Sequence, residues 1–246
     1  MRIAITLEYQ GTNYLGWQKN AQDRTVCYVL EQTFAKILGE EVKIVASGRT
    51  DAGVHAMAQV AHLDLPKTCK LSSKSLVAEV NKNLPKDLRI VSAKEVSERF
   101  HARYNVKSKT YLYKCYTSPT LSPLREDYFC HYPAVLNLEK IKNCAKILIG
   151  KHNFKAFCLT GGDNESFERE ILSIDVIRKK DEVYFYVKGK GFLYSMVRII
   201  VGVLLKVGQN KITEEVIRNS LKEDSNISFA REKMPACGLY LYEVEY

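Results

Sequence analysis

Apolar and polar positions alternate near the start of the chain. Ile3, Ile5, Leu7 and Tyr9 are set against Arg2, Ala4, Thr6 and Glu8, which predicts a strand with one face in a core. A loop rich in Gly and Asn over 10–24 follows, and then the period changes. Val26, Val29, Leu30, Phe34, Ile37 and Leu38 recur at helical spacing, with Thr25 as the N-cap. Strands are predicted at 42–46, near 59–65 and over 88–94, with a helix near 73–83 that ends before Pro85. Over 110–117, Tyr111, Tyr113 and Cys115 face one way and Leu112, Lys114 and Tyr116 the other, which is again a strand.

The second half repeats these element types. A helix over 138–149 is stopped by Gly150, and strands at 171–178 and 183–188 are joined by the polar run Lys179-Lys-Asp-Glu182, as in a hairpin. An apolar helix over 192–207, a shorter helix over 213–222 with Thr213 at its start, and a strand over 238–246 complete the chain. Mixed strands and helices with hairpin-like pairings predict an α+β fold, a mixed or antiparallel sheet flanked by helices. Residues 1–246 are expected to form one unit with sub-halves of about 1–118 and about 119–246, divided between Pro119 and Pro133.

Charge narrows the partners. The 37 Lys and Arg against 28 Asp and Glu give a net +9, an excess that concentrates polyanions such as nucleic acid around the molecule. The seven cysteines are widely spaced with no two-residue spacer, so free thiols in a reducing compartment are expected rather than a zinc knuckle. The stretch 192–207 contains Arg198 and Lys206 and is shorter than the ~20 apolar residues of a membrane span. Residues 1–8 alternate in polarity, unlike a signal peptide, and a cytoplasmic location without membrane contact is expected.

Few segments suggest chemistry. His55 and His62 stand seven apart on either side of a strand segment, Gly189 and Gly191 are too close for a phosphate loop, and no serine sits in a nucleophile elbow. The run 48–55 differs. Gly48 and Gly53 allow tight turns, and between them stand Arg49, whose planar fork suits a phosphate or a carboxylate, and Asp51. An aspartate on such a turn serves either as its cap or as a nucleophile or base. Arg198 stands inside an apolar helix, where a guanidinium is costly unless paired, and this suggests a carboxylate partner.

Ser47-Gly48-Arg49-Thr50-Asp51-Ala52-Gly53-Val54-His55-Ala56 resembles the signature of the TruA family of tRNA pseudouridine synthases. Further blocks resemble that family in its order: residues 9–18, Phe100-His-Ala-Arg103, Lys109-Thr-Tyr111-Leu-Tyr113, residues 191–202 and residues 235–241. One departure is visible, Arg169-Glu170-Ile171 where the family often reads Arg-Thr-Ile, which makes an RNA contact from this strand less certain.

The resemblance implies a pseudouridine synthase-like fold with two similar halves around a catalytic cleft. It implies isomerisation of adjacent uridines in the lower stem and loop of the tRNA anticodon arm. Asp51 matches the catalytic aspartate, attacking either ribose C1′ or the base. Tyr111 matches the tyrosine against the target base, Arg198 an arginine that pairs with the aspartate, and Arg49 an arginine that contacts RNA beside the flipped nucleotide. No cofactor and no metal are expected, because the isomerisation is redox-neutral and keeps every atom. A homodimer is implied as well. Arg99, Arg103, Lys107, Lys109 and Lys114, interleaved with Phe100, Tyr104, Tyr111 and Tyr113, have the texture of an RNA-facing surface. The rival readings are a catalytically silent RNA-binding protein and a synthase of the same fold with another RNA target. A glycosidase normally uses two carboxylates, and this motif holds one.

Overall fold

The computed structural model describes residues 1–18, 24–159 and 166–246; the part of the predicted 10–24 loop at 19–23 lies outside them. The chain divides into two compact units, Met1–Lys107 with Tyr240–Tyr246, and Ser108–Leu239.

In the first unit, β1 (Arg2–Tyr9) pairs antiparallel with β3 (His55–Asp64) on one side and β4 (Leu88–Val96) on the other. Ile3, Ile5, Leu7 and Tyr9 are buried as the alternation predicts; on the other face Glu8 is exposed, Arg2 and Thr6 are half-buried, and Ala4 is buried as well. The short β2 (Val45–Ala46) pairs antiparallel with β3 at His62 and Ala61. The last strand, β10 (Leu239–Glu245), runs parallel to β3 at His55 and Ala56, so the sheet is mixed. Helices α1 (Val26–Leu38) and α2 (Ser73–Asn83) complete the unit. Thr25 caps α1 by accepting from the Tyr28 amide, and Gly39, in the left-handed region at φ 77°, ends it.

In the second unit, β5 (Ser108–Tyr116) and β8 (Glu168–Lys179) both flank β9 (Glu182–Gly189) antiparallel, and β7 (Gly150–Asn153) pairs with β8. The short β6 (Cys130–His131) runs parallel to β5. Helix α3 (Leu138–Ile147) packs on β8 and on α4 (Met196–Gly208), and α5 (Glu214–Ser220) packs on α3. Each half is thus a mixed sheet with helices against it, the α+β class. No helix of the described residues is long and apolar enough to cross a membrane.

Several element ends differ from the sequence pattern: β3 begins at His55 rather than near 59, β8 at Glu168 rather than 171, and three others differ, each for a local reason. The strand expected at 42–46 is ordered only at Val45–Ala46, because the Ile44 amide donates to the Glu31 carboxylate (3.1 Å) rather than to a neighbouring strand. The helix expected from 192 begins at Met196, because Ser195 is left-handed at φ 58° and interrupts the helical backbone. The helix expected to reach 149 ends at Ile147, and Gly150, at φ 108°, opens β7 instead.

Twelve of the 13 residues of α4 are buried, which accounts for its apolar run. At Gly202 the backbone of residue 232 crosses the helix so closely that a Cβ would lie 1.8 Å from the Glu232 carbonyl oxygen. Gly202→Ala must therefore push two backbones apart. It is expected to lose about 1–3 kcal/mol of stability, the usual scale of overpacking. Urea unfolding checks this: the midpoint should fall while the slope stays at the wild-type value.

Candidate active site

Residues 47–54 form a turn between β2 and β3 that is braced from several sides. The Ser47 hydroxyl donates to Gln59 Oε1 (2.7 Å) and Gln59 Nε2 donates to the Gly48 carbonyl (2.8 Å), so a buried glutamine ties the start of the turn to β3. The Val54 amide donates to the Asp51 carbonyl (3.2 Å), with Gly53 at φ 77° allowing the reversal.

The loop after β1 lies against this turn. Trp17 N donates to the Thr50 carbonyl (3.1 Å) and Gly53 N to the Tyr14 carbonyl (3.1 Å). Tyr9 and Thr50 share a buried hydroxyl–hydroxyl hydrogen bond of 2.9 Å. The Gly11 amide donates to His55 Nδ1 (3.0 Å), and the His55 ring stacks on Tyr240 at 4.6 Å. Two glycines make the approach possible. A Cβ at Gly11 would sit 2.0 Å from the Val54 carbonyl oxygen, and one at Gly16, which is at φ +85°, would sit 2.5 Å from that of Thr50. The blocks 9–18 and 47–56, distant in sequence, are therefore one structure. Thr50 and His55 are turned into it, while Asp51 is partly buried and Arg49 exposed.

A polar cluster holds the loop from outside. Tyr14 donates to Asp87 Oδ1 (2.7 Å), Arg24 donates to Asp87 Oδ2 (2.8 Å), and the Arg24 guanidinium lies 4.8 Å from the Tyr14 ring centre. Burial, and then the Asp87 carboxylate, push the Tyr14 hydroxyl well above the ordinary tyrosine range.

The other two predicted site residues stand in the second unit. Tyr111, on β5, is 8% exposed and meets Phe192 edge-on at 5.1 Å. Arg198, on α4, is 9% exposed and donates through Nε to the Met234 carbonyl (2.6 Å). The segment beyond Met234 is gripped by β5: Tyr113 donates to the Pro235 carbonyl (2.8 Å), and Gly238 lies where a Cβ would be 2.6 Å from Tyr113 Cζ. The block at 235–241 thus braces both a β5 tyrosine and the segment that holds Arg198. Burial raises the Tyr113 hydroxyl far above its ordinary value.

The structure therefore puts Arg49 and Asp51 on one turn of the first unit, and Tyr111 and Arg198 on neighbouring elements of the second. Residue-by-residue reading missed Tyr9, Tyr14, Gln59 and Asp87, which shape the turn and its loop. The signal for the loop lay in its glycines. At the departure noted near 169, Glu170 pairs with Lys190 (2.7 Å), and Arg169 donates to the carbonyls of Ser166 (2.9 Å) and Glu168 (2.6 Å). His55 and His62 each accept a backbone amide, from Gly11 and Ala102. Among the described residues, no group of three His, Cys, Asp or Glu side chains is placed to hold a metal ion.

A family model described as tRNA pseudouridine synthase matches residues 5–105 and 144–246. The chain belongs to the tRNA pseudouridine synthase family. It is an isomerase that converts uridine to pseudouridine. A tRNA pseudouridine synthase A of Ruminiclostridium cellulolyticum is 40% identical over 246 residues, covering 100% of this chain and 99% of that protein. One of Bacillus pumilus is 40% identical over 248 residues, with the same coverage. A tRNA pseudouridine synthase A 2 of Clostridium perfringens is 39% identical over 244 residues, covering 99% of each. The family match includes Arg49, Asp51 and Arg198; Tyr111 lies between its two segments.

The Tyr9–Thr50 contact gives a test of how the family's turn is held. Burial pushes the Tyr9 hydroxyl up to about 12, partly offset by its bonds to Thr50 and Gln59. The neutral form is the one the fold accommodates. Its contribution is complete below the unfolded value near 10 and is lost as pH rises from there through about 12. Tyr9→Phe should cost about 1 kcal/mol at neutral pH through the lost hydrogen bond. It should also remove a loss on the order of 1 kcal/mol per pH unit above pH 10. Urea midpoints at neutral pH and at pH 11 measure both effects.

Proposed function

We propose that this chain isomerises uridines in the anticodon arm of tRNA, with Asp51 as the catalytic carboxylate. The observation that carries the reading is the braced turn at 47–54. It holds one partly buried carboxylate between anchored neighbours, in the part of the chain that carries the family signature. A carboxylate so fixed loses little freedom on meeting a substrate, which favours nucleophilic attack.

In this reading Asp51 attacks the flipped nucleotide at ribose C1′ or at the base, and the C1′–N1 bond breaks. The uracil turns, C5 bonds to C1′ as the bond to Asp51 breaks and its electron pair returns to the carboxylate, a base removes the C5 proton, and N1 ends protonated. Atoms and electrons balance within the substrate, so the proposal includes no cofactor and no metal. Tyr111 offers a ring face to the uracil, with stacking on the scale of about 1–3 kcal/mol. Arg198 orients the catalytic carboxylate, a role that rests on the chemistry of a buried guanidinium. Arg49, exposed on the same turn as Asp51, contacts the RNA backbone.

Residues 1–246 act as one catalytic unit, and the reading includes a homodimer in the cytoplasm.

The test is tritium release from C5-labelled unmodified tRNA transcripts, with purified protein and nothing added. Wild-type protein should release tritium. Asp51→Asn should slow release by at least about a thousandfold, the scale of losing a nucleophile, while tRNA affinity stays within a few-fold. Unimpaired release by Asp51→Asn would remove the assigned role, and tight tRNA binding without release by the wild type would favour a silent RNA-binding protein.

A further inference from the structure

The segment between β4 and β5 makes no regular element, yet it is fastened at almost every residue. Arg2, itself bound to both Asp64 oxygens (2.8 and 2.7 Å), donates to the carbonyls of Glu98 (2.6 Å) and Phe100 (2.9 Å). The buried Ala102 donates its amide to His62 Nδ1 (3.1 Å) and accepts at its carbonyl from the Tyr246 hydroxyl (2.7 Å). His101 N donates to Asn105 Oδ1 (2.6 Å), and the amides of Arg103 and Tyr104 both donate to His101 Nδ1 (3.2 and 3.3 Å).

This tight scaffold presents a side chain that the fold does not bury. Tyr104 is 75% exposed, yet its ring stacks on His101 at 4.2 Å and 25°, and His101 in turn rests 4.8 Å from His62. The Arg103 guanidinium lies 5.9 Å from the Tyr104 ring centre. Arg99, Arg103 and Lys107 are exposed along the same segment, whose sole acid between 97 and 107 is Glu98. An exposed ring held by stacking, beside cations, is preorganised. A flat partner can cover its open face with little further loss of side-chain freedom.

We propose that this turn is a second RNA-docking site. In it the Tyr104 ring stacks on an unpaired base of the tRNA, while Arg103 and Arg99 hold the adjacent phosphates. The occupant follows from charge and shape together: a polyanion with an exposed aromatic face is single-stranded nucleic acid. The site rests on the reading of the chain as a tRNA-modifying enzyme. It adds affinity and takes no part in bond breaking.

The experiment uses the full-length protein and an unmodified tRNA transcript, reading affinity by fluorescence anisotropy and turnover by tritium release. Tyr104→Ala should raise both Kd and KM about tenfold, on the scale of one lost stack, with kcat within twofold of wild type. Tyr104→Phe should restore both. Arg103→Ala should lower the slope of log affinity against log salt by about one. Thermal unfolding of Tyr104→Ala should match the wild type, since the ring is exposed. Unchanged Kd and KM in Tyr104→Ala, or a loss confined to kcat, would overturn the proposal. Should the wild type bind tRNA yet release no tritium, the synthase reading fails, and the anisotropy series still decides the docking site.

Discussion

The approach of two backbones in the first unit sets most of what surrounds Asp51. Residues 11–17 pass so close to the turn at 50–54 that a methyl group at Gly11 or Gly16 would overlap a carbonyl oxygen. Only that approach lets Trp17 and Tyr14 bond to the turn, buries Thr50 beneath Tyr9, and brings the Gly11 amide to His55. With Thr50 buried and the Gly53 amide bonded to the Tyr14 carbonyl, Asp51 is left on a backbone that has little freedom. Preorganisation of this kind is what the nucleophilic role proposed for Asp51 requires.

The second unit follows the same rule with other residues. Gly202 lets the backbone at 232 cross α4, and Gly238 lets the next segment press on Tyr113. Between these contacts the Met234 carbonyl accepts from Arg198. A guanidinium in an apolar helix would be severely destabilising without such acceptors. In both units glycine serves close approach of backbone to backbone, and the resulting contacts fix the polar side chains.

Most strands and helices, though not the short β6 and β7, were legible from periodicity because each is set by neighbours a few residues away. Their ends were less so. The beginning of β2 depends on Glu31, and that of α4 on one left-handed serine, neither of which disturbs the apolar pattern. The return of the final strand to the first unit was not legible, since nothing local reports that Tyr240 pairs beside His55. At the site, Asp51, Arg49, Tyr111 and Arg198 were named through motif resemblance, and Arg198 also through its oddity in an apolar helix. The residues that brace the turn were hidden, because the Tyr9–Thr50 and Tyr14–Asp87 contacts join positions 41 and 73 apart.

The measurement that bears most directly on this account is the single-turnover rate of tritium release at saturating tRNA for Gly16→Ala, beside Gly39→Ala. Both glycines have positive φ, +85° and +77°, but a Cβ at Gly16 meets the Thr50 carbonyl while one at Gly39 meets nothing within 4 Å. If the docked loop fixes the catalytic carboxylate, Gly16→Ala slows release at least about tenfold, as small misplacements at a reacting centre do. Its tRNA affinity stays within about threefold, and Gly39→Ala keeps the wild-type rate. A wild-type rate in a folded Gly16→Ala protein would contradict the account.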